Sequence, residues 1–128
     1  MYNIVIGNNV YSSVIIDSLI KKNKSVILLD SAEELKLYKN SAIIKNEVDL
    51  NDMKMLESQI EKQDVENIFV ATRDDELNYM IAEALKFYPS VYMILNDEYM
   101  FELMDKDNKY KVLCPQRVIR NIIEEEVA

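Results

Sequence analysis

The sequence predicts an α/β domain: a doubly wound parallel sheet of six strands in the order 3-2-1-4-5-6, with helices on both faces. Short runs rich in Val and Ile recur along the chain without in-and-out alternation, as strands covered on both faces do. Between them lie longer segments whose apolar residues return every three or four positions, the spacing of a helix with one buried side. At 128 residues and 49% apolar content the chain has material for one core, and residues 1–128 read as a single domain without linker, low-complexity tract or repeat.

The first strand, Asn3 to Ile6, stops at Gly7 and gives way to a helix striped by Val14, Ile15, Leu19 and Ile20. A second strand, Ser25 to Leu29, meets Asp30-Ser31, a pair able to cap a helix marked by Leu35 and Tyr38. The third, Ala42 to Ile44, leads to a helix capped by Asp49 or Asn51, with Met53, Leu56 and Ile60 facing inward. After the fourth, Asn67 to Ala71, Asp74 caps a helix striped by Met80, Ile81, Ala84 and Leu85, which Pro89 ends because its ring cannot continue the ladder. Val91 to Leu95 is the fifth strand, with Asn96 or Asp97 as the cap of the fifth helix. Lys111 to Leu113 is the sixth strand, and Pro115 suits the first turn of a last helix carrying Val118, Ile119, Ile122 and Ile123 on one side. Cys114 reads as a small buried hydrophobe, and the methionines and tyrosines as core and half-exposed filler.

Composition excludes several functions. A net charge of −8 opposes binding to a phosphate backbone, so no nucleic-acid partner is expected. One cysteine and no histidine leave neither an internal disulfide nor an ordinary metal-ligand set, and neither catalytic residues nor metal ligands are expected. No apolar stretch approaches the roughly 18 residues of a membrane span, and no signal sequence opens the chain; the expectation is a cytoplasmic protein without direct membrane insertion.

In an open α/β sheet, ligands gather beyond the carboxyl ends of the strands where strand order reverses, here between the first and fourth. The residues leaving those ends are Gly7, Asn8, Asn9, Val10 and Tyr11; Asp30 and Ser31; Lys45, Asn46 and Glu47; and Thr72, Arg73 and Asp74. Asp30 lies 23 residues past Gly7, close to the roughly 20 expected between a phosphate-binding turn and a ribose-binding carboxylate. The slots of a G-x-G-x-x-G turn are filled by Gly7, Asn9 and Ser12, and Gly7 is the chain's one glycine. An Asn in the second slot can adopt a left-handed backbone, but it keeps a side chain where a diphosphate approaches, so weaker diphosphate binding or a smaller ligand is expected. Plainer readings exist: Gly7 as a tight turn, Asp30 as a helix cap, Arg73 as a neutraliser of Asp74 or Asp75.

Three segments resemble the TrkA-N or RCK family, the Rossmann-like N-terminal nucleotide-binding domains of potassium-transport regulators: the run to Gly7 with Asp30, Phe69-Val70-Ala71-Thr72-Arg73-Asp74-Asp75-Glu76-Leu77-Asn78, and Val112-Leu113-Cys114-Pro115. The resemblance implies phosphate contacts from Gly7 to Tyr11 and an adenosine ribose at Asp30 beside Ser31. Thr72, Arg73 and Asp74 would edge the site, and Asn78 would support it or a dimer contact. The ligand implied is NAD(H) or ATP, ADP or AMP, sensed without catalysis by a homodimer or higher homo-oligomer. Its partner would be a membrane potassium channel or transporter subunit, met at the inner face of the cell membrane. The chain departs from the pattern at Asn9 and Ser12, and at Asn46-Glu47 where the family has Gly-Asp or where the loop is shifted. Alternatives are an oligomerisation module that has lost its nucleotide, or the sensing domain of an antiporter or a fused enzyme. An NAD-dependent oxidoreductase would need a substrate domain and a proton donor. A symmetric dimer is expected, through the last helix or the Tyr99 to Leu103 segment.

Overall fold

The computed structural model describes residues 1–103 and 109–127; Ala128, the end of the expected domain, and the side chain of Leu103 lie outside the described residues. Six strands, β1 (Tyr2–Ile6), β2 (Ser25–Asp30), β3 (Ile44–Glu47), β4 (Val65–Val70), β5 (Val91–Ile94) and β6 (Lys111–Leu113), form one sheet in the order β3-β2-β1-β4-β5-β6. Every pairing is parallel. They alternate with α1 (Ser12–Lys21), α2 (Ala32–Leu37), α3 (Met53–Glu61), α4 (Asp75–Ala84), α5 (Glu98–Leu103) and α6 (Pro115–Glu126). The fold class expected from the sequence is thus the one observed.

Neighbouring residues of a strand point to opposite faces, and the core divides accordingly. Ile4 and Ile6 join Leu56 and Ile60 of α3, Ile81 of α4 and Leu85 just past its end on one face. Val5 joins Val26, Leu28, Ile16 of α1 and Leu35 of α2 on the other. Each fully buried aliphatic contributes about 1.5–3 kcal/mol, so the Leu56 and Ile60 pair alone anchors the short α3. At the amino edge of the sheet the interior is polar. Asn67 Nδ2 donates to Asn3 Oδ1 at 2.8 Å, and Ser90 Oγ donates to Asn67 Oδ1 at 2.6 Å.

Several boundaries differ from expectation. β3 starts at Ile44 and runs to Glu47, beyond the expected Ala42 to Ile44, because its pairing with β2 sets the register from Ile27↔Ile44 to Asp30↔Glu47. As an edge strand it is mostly exposed, which removes the apolar signal. Asp52 caps α3 by accepting from Met55 N, while Asp49 closes the preceding turn by accepting from Asn51 N. On α1 the inner positions are Ser12 and Ile16, and Val14 is exposed. On α4 they are Asn78, Ile81 and Ala82, with Met80 and Ala84 facing solvent. In both helices a buried polar residue belongs to the inner stripe and shifts its phase. α4 stops at Ala84, and a turn closed by Tyr88 N to Leu85 O follows, so Pro89 lies past the end rather than causing it. Ser31, Asp74 and Pro115 occupy the helix starts assigned to them.

Candidate functional site

Gly7 leaves β1 at φ +96°, and a Cβ there would lie 2.7 Å from Thr72 Cα. Only a residue without a side chain permits the β1 turn to lie this close to the end of β4. Ser12, buried at the start of α1, donates from Oγ to Gly7 O at 2.8 Å and accepts from Asn9 N at 2.8 Å. This third-glycine slot therefore holds the turn through a hydroxyl.

Asn9 is buried, and among the described residues Asn23 is the one non-glycine residue with positive φ, so Asn9 does not use left-handed backbone. Its carboxamide spans the crevice where strand order reverses. Nδ2 donates to Thr72 O at 3.0 Å and to Asn96 Oδ1 at 2.6 Å, and Oδ1 accepts from Tyr11 N at 3.1 Å. The amide of Tyr11, at the N-terminus of α1, is one that a phosphate would otherwise attract. Val10 projects into solvent, and Tyr11 is half-buried.

Asp30, 7% exposed, closes β2 and accepts from Ser31 N at 2.7 Å. Burial raises its pKa, with the Glu34 carboxylate adding to the effect; the Ser31 and Asn8 amides and the Arg73 guanidinium pull the other way. Two adjoining depressions share this carboxylate. One of about 150 Å³ lies between Asn8, Asp30, Glu34, Leu50, Thr72 and Arg73. The other, of about 350 Å³, lies between Asp30 and Ser31, the β3–α3 loop from Glu47 to Asn51, and Leu77.

Arg73 pairs in bidentate fashion with Glu34, NH1 to Oε1 and NH2 to Oε2, each at 3.3 Å. Asn8 Nδ2 lies against the same glutamate, 3.3 Å from its main-chain oxygen and 3.4 Å from Oε2. The lining thus carries the carboxylates of Asp30, Glu34, Glu47 and Asp49 with Arg73 as their counter-charge.

The remaining sequence candidates serve the frame. Asn78 is fully buried: Oδ1 accepts from Thr72 N at 2.9 Å and Thr72 Oγ1 at 2.5 Å, and Nδ2 donates to Thr72 O and Ile94 O, each at 3.0 Å. Asp74 accepts from Glu76 N and Leu77 N as the cap of α4. Asp75 accepts from Asn96 N at 2.7 Å and Asp97 N at 2.9 Å, fixing the turn after β5. Asn46 sits inside β3, opposite Leu29, so the chain leaves that strand at Val48 and Asp49 instead. Glu34, Val48, Asp49, Leu50, Leu77 and Asn96 join the site without being among the residues that the sequence points to. Glu34 stands in the first turn of the helix that follows Asp30, a position that could flag it; Asn96 carries no such local signal.

The dinucleotide implied by the resemblance fits one half of this site. A carboxylate for a ribose diol and an apolar wall for a base stand around Asp30. At the turn, the Asn9 side chain and its bonds occupy the diphosphate's path, and that half does not fit.

Neither a protein-family model nor a curated protein matches the chain. Among solved structures it resembles the NAD(P)-binding domain of an exopolyphosphatase-related protein from Archaeoglobus fulgidus, with a TM-score of 0.72 at 20% identity over 98% of this chain and 96% of that one. It also resembles UDP-glucose 4-epimerase with UDP-glucose from Thermotoga maritima, with a TM-score of 0.58 at 18% identity over 75% of this chain. The chain spans 38% of the epimerase's length. At these identities the likeness establishes the Rossmann fold alone.

Proposed function

We propose that the chain is a non-catalytic regulatory domain that binds an adenine-ribose ligand and passes its occupancy to a potassium channel or transporter subunit. The observation carrying this reading is Asp30, a buried carboxylate at the carboxyl end of β2 that walls both depressions. A ribose diol donates two hydrogen bonds to such a group, and Leu50 and Leu77 offer apolar surface for a base. Regulation requires only that a ligand favour one state over another, which needs a cleft and an interface but no acid–base pair. Potassium transport enters through the resemblance of the Thr72 to Asn78 segment, as do the candidate ligands NAD(H), ATP, ADP and AMP. The domain would then work in the cytoplasm, brought to the inner membrane face by its partner. Among the described residues no helix is long and apolar enough to cross a membrane.

A thermal-shift series with NAD, NADH, ATP, ADP and AMP tests the reading, since a ligand that binds the folded form raises the melting temperature by mass action. At least one ligand should raise it, and Asp30→Ala should abolish the rise. A rise unchanged in Asp30→Ala moves the site elsewhere.

Two observations favour other readings. The bridging of the crevice by Asn9 favours an oligomerisation module without nucleotide, which predicts no thermal shift with any purine ligand. The exopolyphosphatase-related description of the Archaeoglobus neighbour favours a fused enzyme as effector, and the sequence of the complete natural protein distinguishes that case.

A further inference from the structure

We infer that the cleft takes an adenine ribonucleoside without phosphate, and that each phosphate added to it weakens binding; the inference rests on the adenine-ribose reading above and narrows its ligand class. Anion binding at a Rossmann edge depends on free helix amides. Here several of the helix-start amides bordering the cleft are held by side chains of this chain. Asn9 Oδ1 holds Tyr11 N at α1, and Ser31 Oγ holds Glu34 N at α2. At α4, Asp74 Oδ1 holds both Glu76 N and Leu77 N.

Charge points the same way. Arg73, the guanidinium on the lining, is held by both oxygens of Glu34. A phosphate would share Arg73 with Glu34 while standing among Asp30, Glu34, Glu47 and Asp49, and like charges at close range in a partly buried site repel. An uncharged nucleoside meets no such penalty.

Shape also favours the smaller ligand. A dinucleotide must cross the crevice between β1 and β4 to reach the far half of the sheet, and the Asn9–Asn96 bond spans that crossing. Asn9 and Asn96 line neither depression; both depressions lie on the Asp30 side. The larger, about 350 Å³, falls in the range of small-molecule pockets, with Leu50 and Leu77 to cover a base and Asp49 to accept from a purine amino group. The smaller joins it at Asp30, where a ribose diol would stand.

Isothermal titration of the whole chain with adenosine, guanosine, 2′-deoxyadenosine, AMP and NAD at one ionic strength tests this. Adenosine should bind at least about tenfold more tightly than NAD, and more tightly than AMP or guanosine. Binding of 2′-deoxyadenosine should fall about tenfold or more for the bond lost to Asp30. In Asn9→Gly, NAD should gain and the nucleoside stay within about twofold, a split that a merely misfolded variant would not show. AMP or NAD binding more tightly than the nucleosides to the native chain overturns the phosphate-free assignment and leaves the adenine-ribose sensor standing. No binding of any probe to the native chain or to Asn9→Gly overturns both.

Discussion

The Asn9 carboxamide reaches past the end of β4 and donates to Asn96 Oδ1 at 2.6 Å, so the turn after β1 is fastened to the turn after β5. Asn96 is held in its turn by Asp75, whose Oδ1 accepts from both its main-chain and its side-chain nitrogen. Three segments distant in sequence thereby share one hydrogen-bonded array, and substitutions in it should behave as a unit rather than additively.

Gly7→Ala should be among the most damaging single changes in the chain. Its φ of +96° suits few L residues, and the new Cβ would meet Thr72 backbone atoms at 2.7 Å. Strain and overpacking together should cost about 2–5 kcal/mol. Urea unfolding measures it; a loss below about 1 kcal/mol would mean that the two strand ends are free to separate.

Asn78→Asp tests whether the Thr72 to Asn78 motif is a clamp. The substitution keeps an acceptor for Thr72 N but sets an oxygen against Thr72 O and Ile94 O, which now receive Nδ2. A loss of about 3 kcal/mol or more is expected at neutral pH, easing as the new carboxyl is protonated in acid. Equal stability of the two proteins at pH 7 would show that Asn78 is not confined.

Asp30 governs a pH effect whose sign is opposite to that of most surface carboxylates. Its folded pKa lies above the ordinary 3.8 because burial disfavours the charge, so the native state holds the proton more tightly than the unfolded chain does. Its contribution to stability is complete below pH 3.8 and is lost as pH rises through the folded value. Glu66 and Glu98, held low by hydrogen bonds from Asn3 and Arg120, contribute above their ordinary value and lose that contribution as pH falls. Asp30→Asn should therefore gain on the native protein in urea midpoints as pH rises above 3.8. A difference independent of pH would mean that Asp30 titrates as it does in the unfolded chain.

α6 should mediate a symmetric dimer. It has no buried residue, and Val118, Ile119, Ile122 and Ile123 are 57%, 62%, 47% and 53% exposed. Its polar side is already engaged: Arg120 pairs with Glu98 and Arg117 with Glu102, both on α5. Ion pairs thus hold the helix on its own domain while the aliphatic side faces out, a surface that water disfavours. Ile119→Asp with Ile122→Asp would bury unpaired carboxylates in such a contact and should yield monomers in sedimentation velocity. A native chain that sediments as a monomer at high concentration refutes the dimer.

The interior of the fold was legible in the sequence because strands covered on both faces announce themselves as unbroken apolar runs; Lys111 to Leu113 was located to the residue. β3 was not, since Ile44, Lys45 and Glu47 are exposed and only pairing to β2 fixes where that strand lies. Asp30 stood out by its spacing from Gly7, a short-range relation within one βαβ unit. The Asn9–Asn96 bond joins residues 87 apart across the end of β4, a side-chain pairing that the expected strand order leaves open. Polar residues on inner helix stripes, Ser12 and Asn78, misled the periodicity for the same reason that they matter: they are buried by their bonds rather than by their oiliness.

The Asn3–Asn67–Ser90 thread at the amino edge bears on how the chain avoids wrong structures. Asn3 and Asn67 face each other across the β1–β4 pairing just past a register shift between Tyr2 and Asn3. Sliding β4 by one residue would turn Asn67 to the opposite face and bring Glu66 or Ile68 to its place. The fully buried Asn3, whose Nδ2 donates to Glu66, would then lose Asn67 as the donor to its Oδ1. Mispaired sheets of similar apolar content are thereby penalised while the chain is still assembling. These amides act as a check on strand alignment, and replacing both with Val should leave a chain that collapses readily yet sorts its strands with less fidelity.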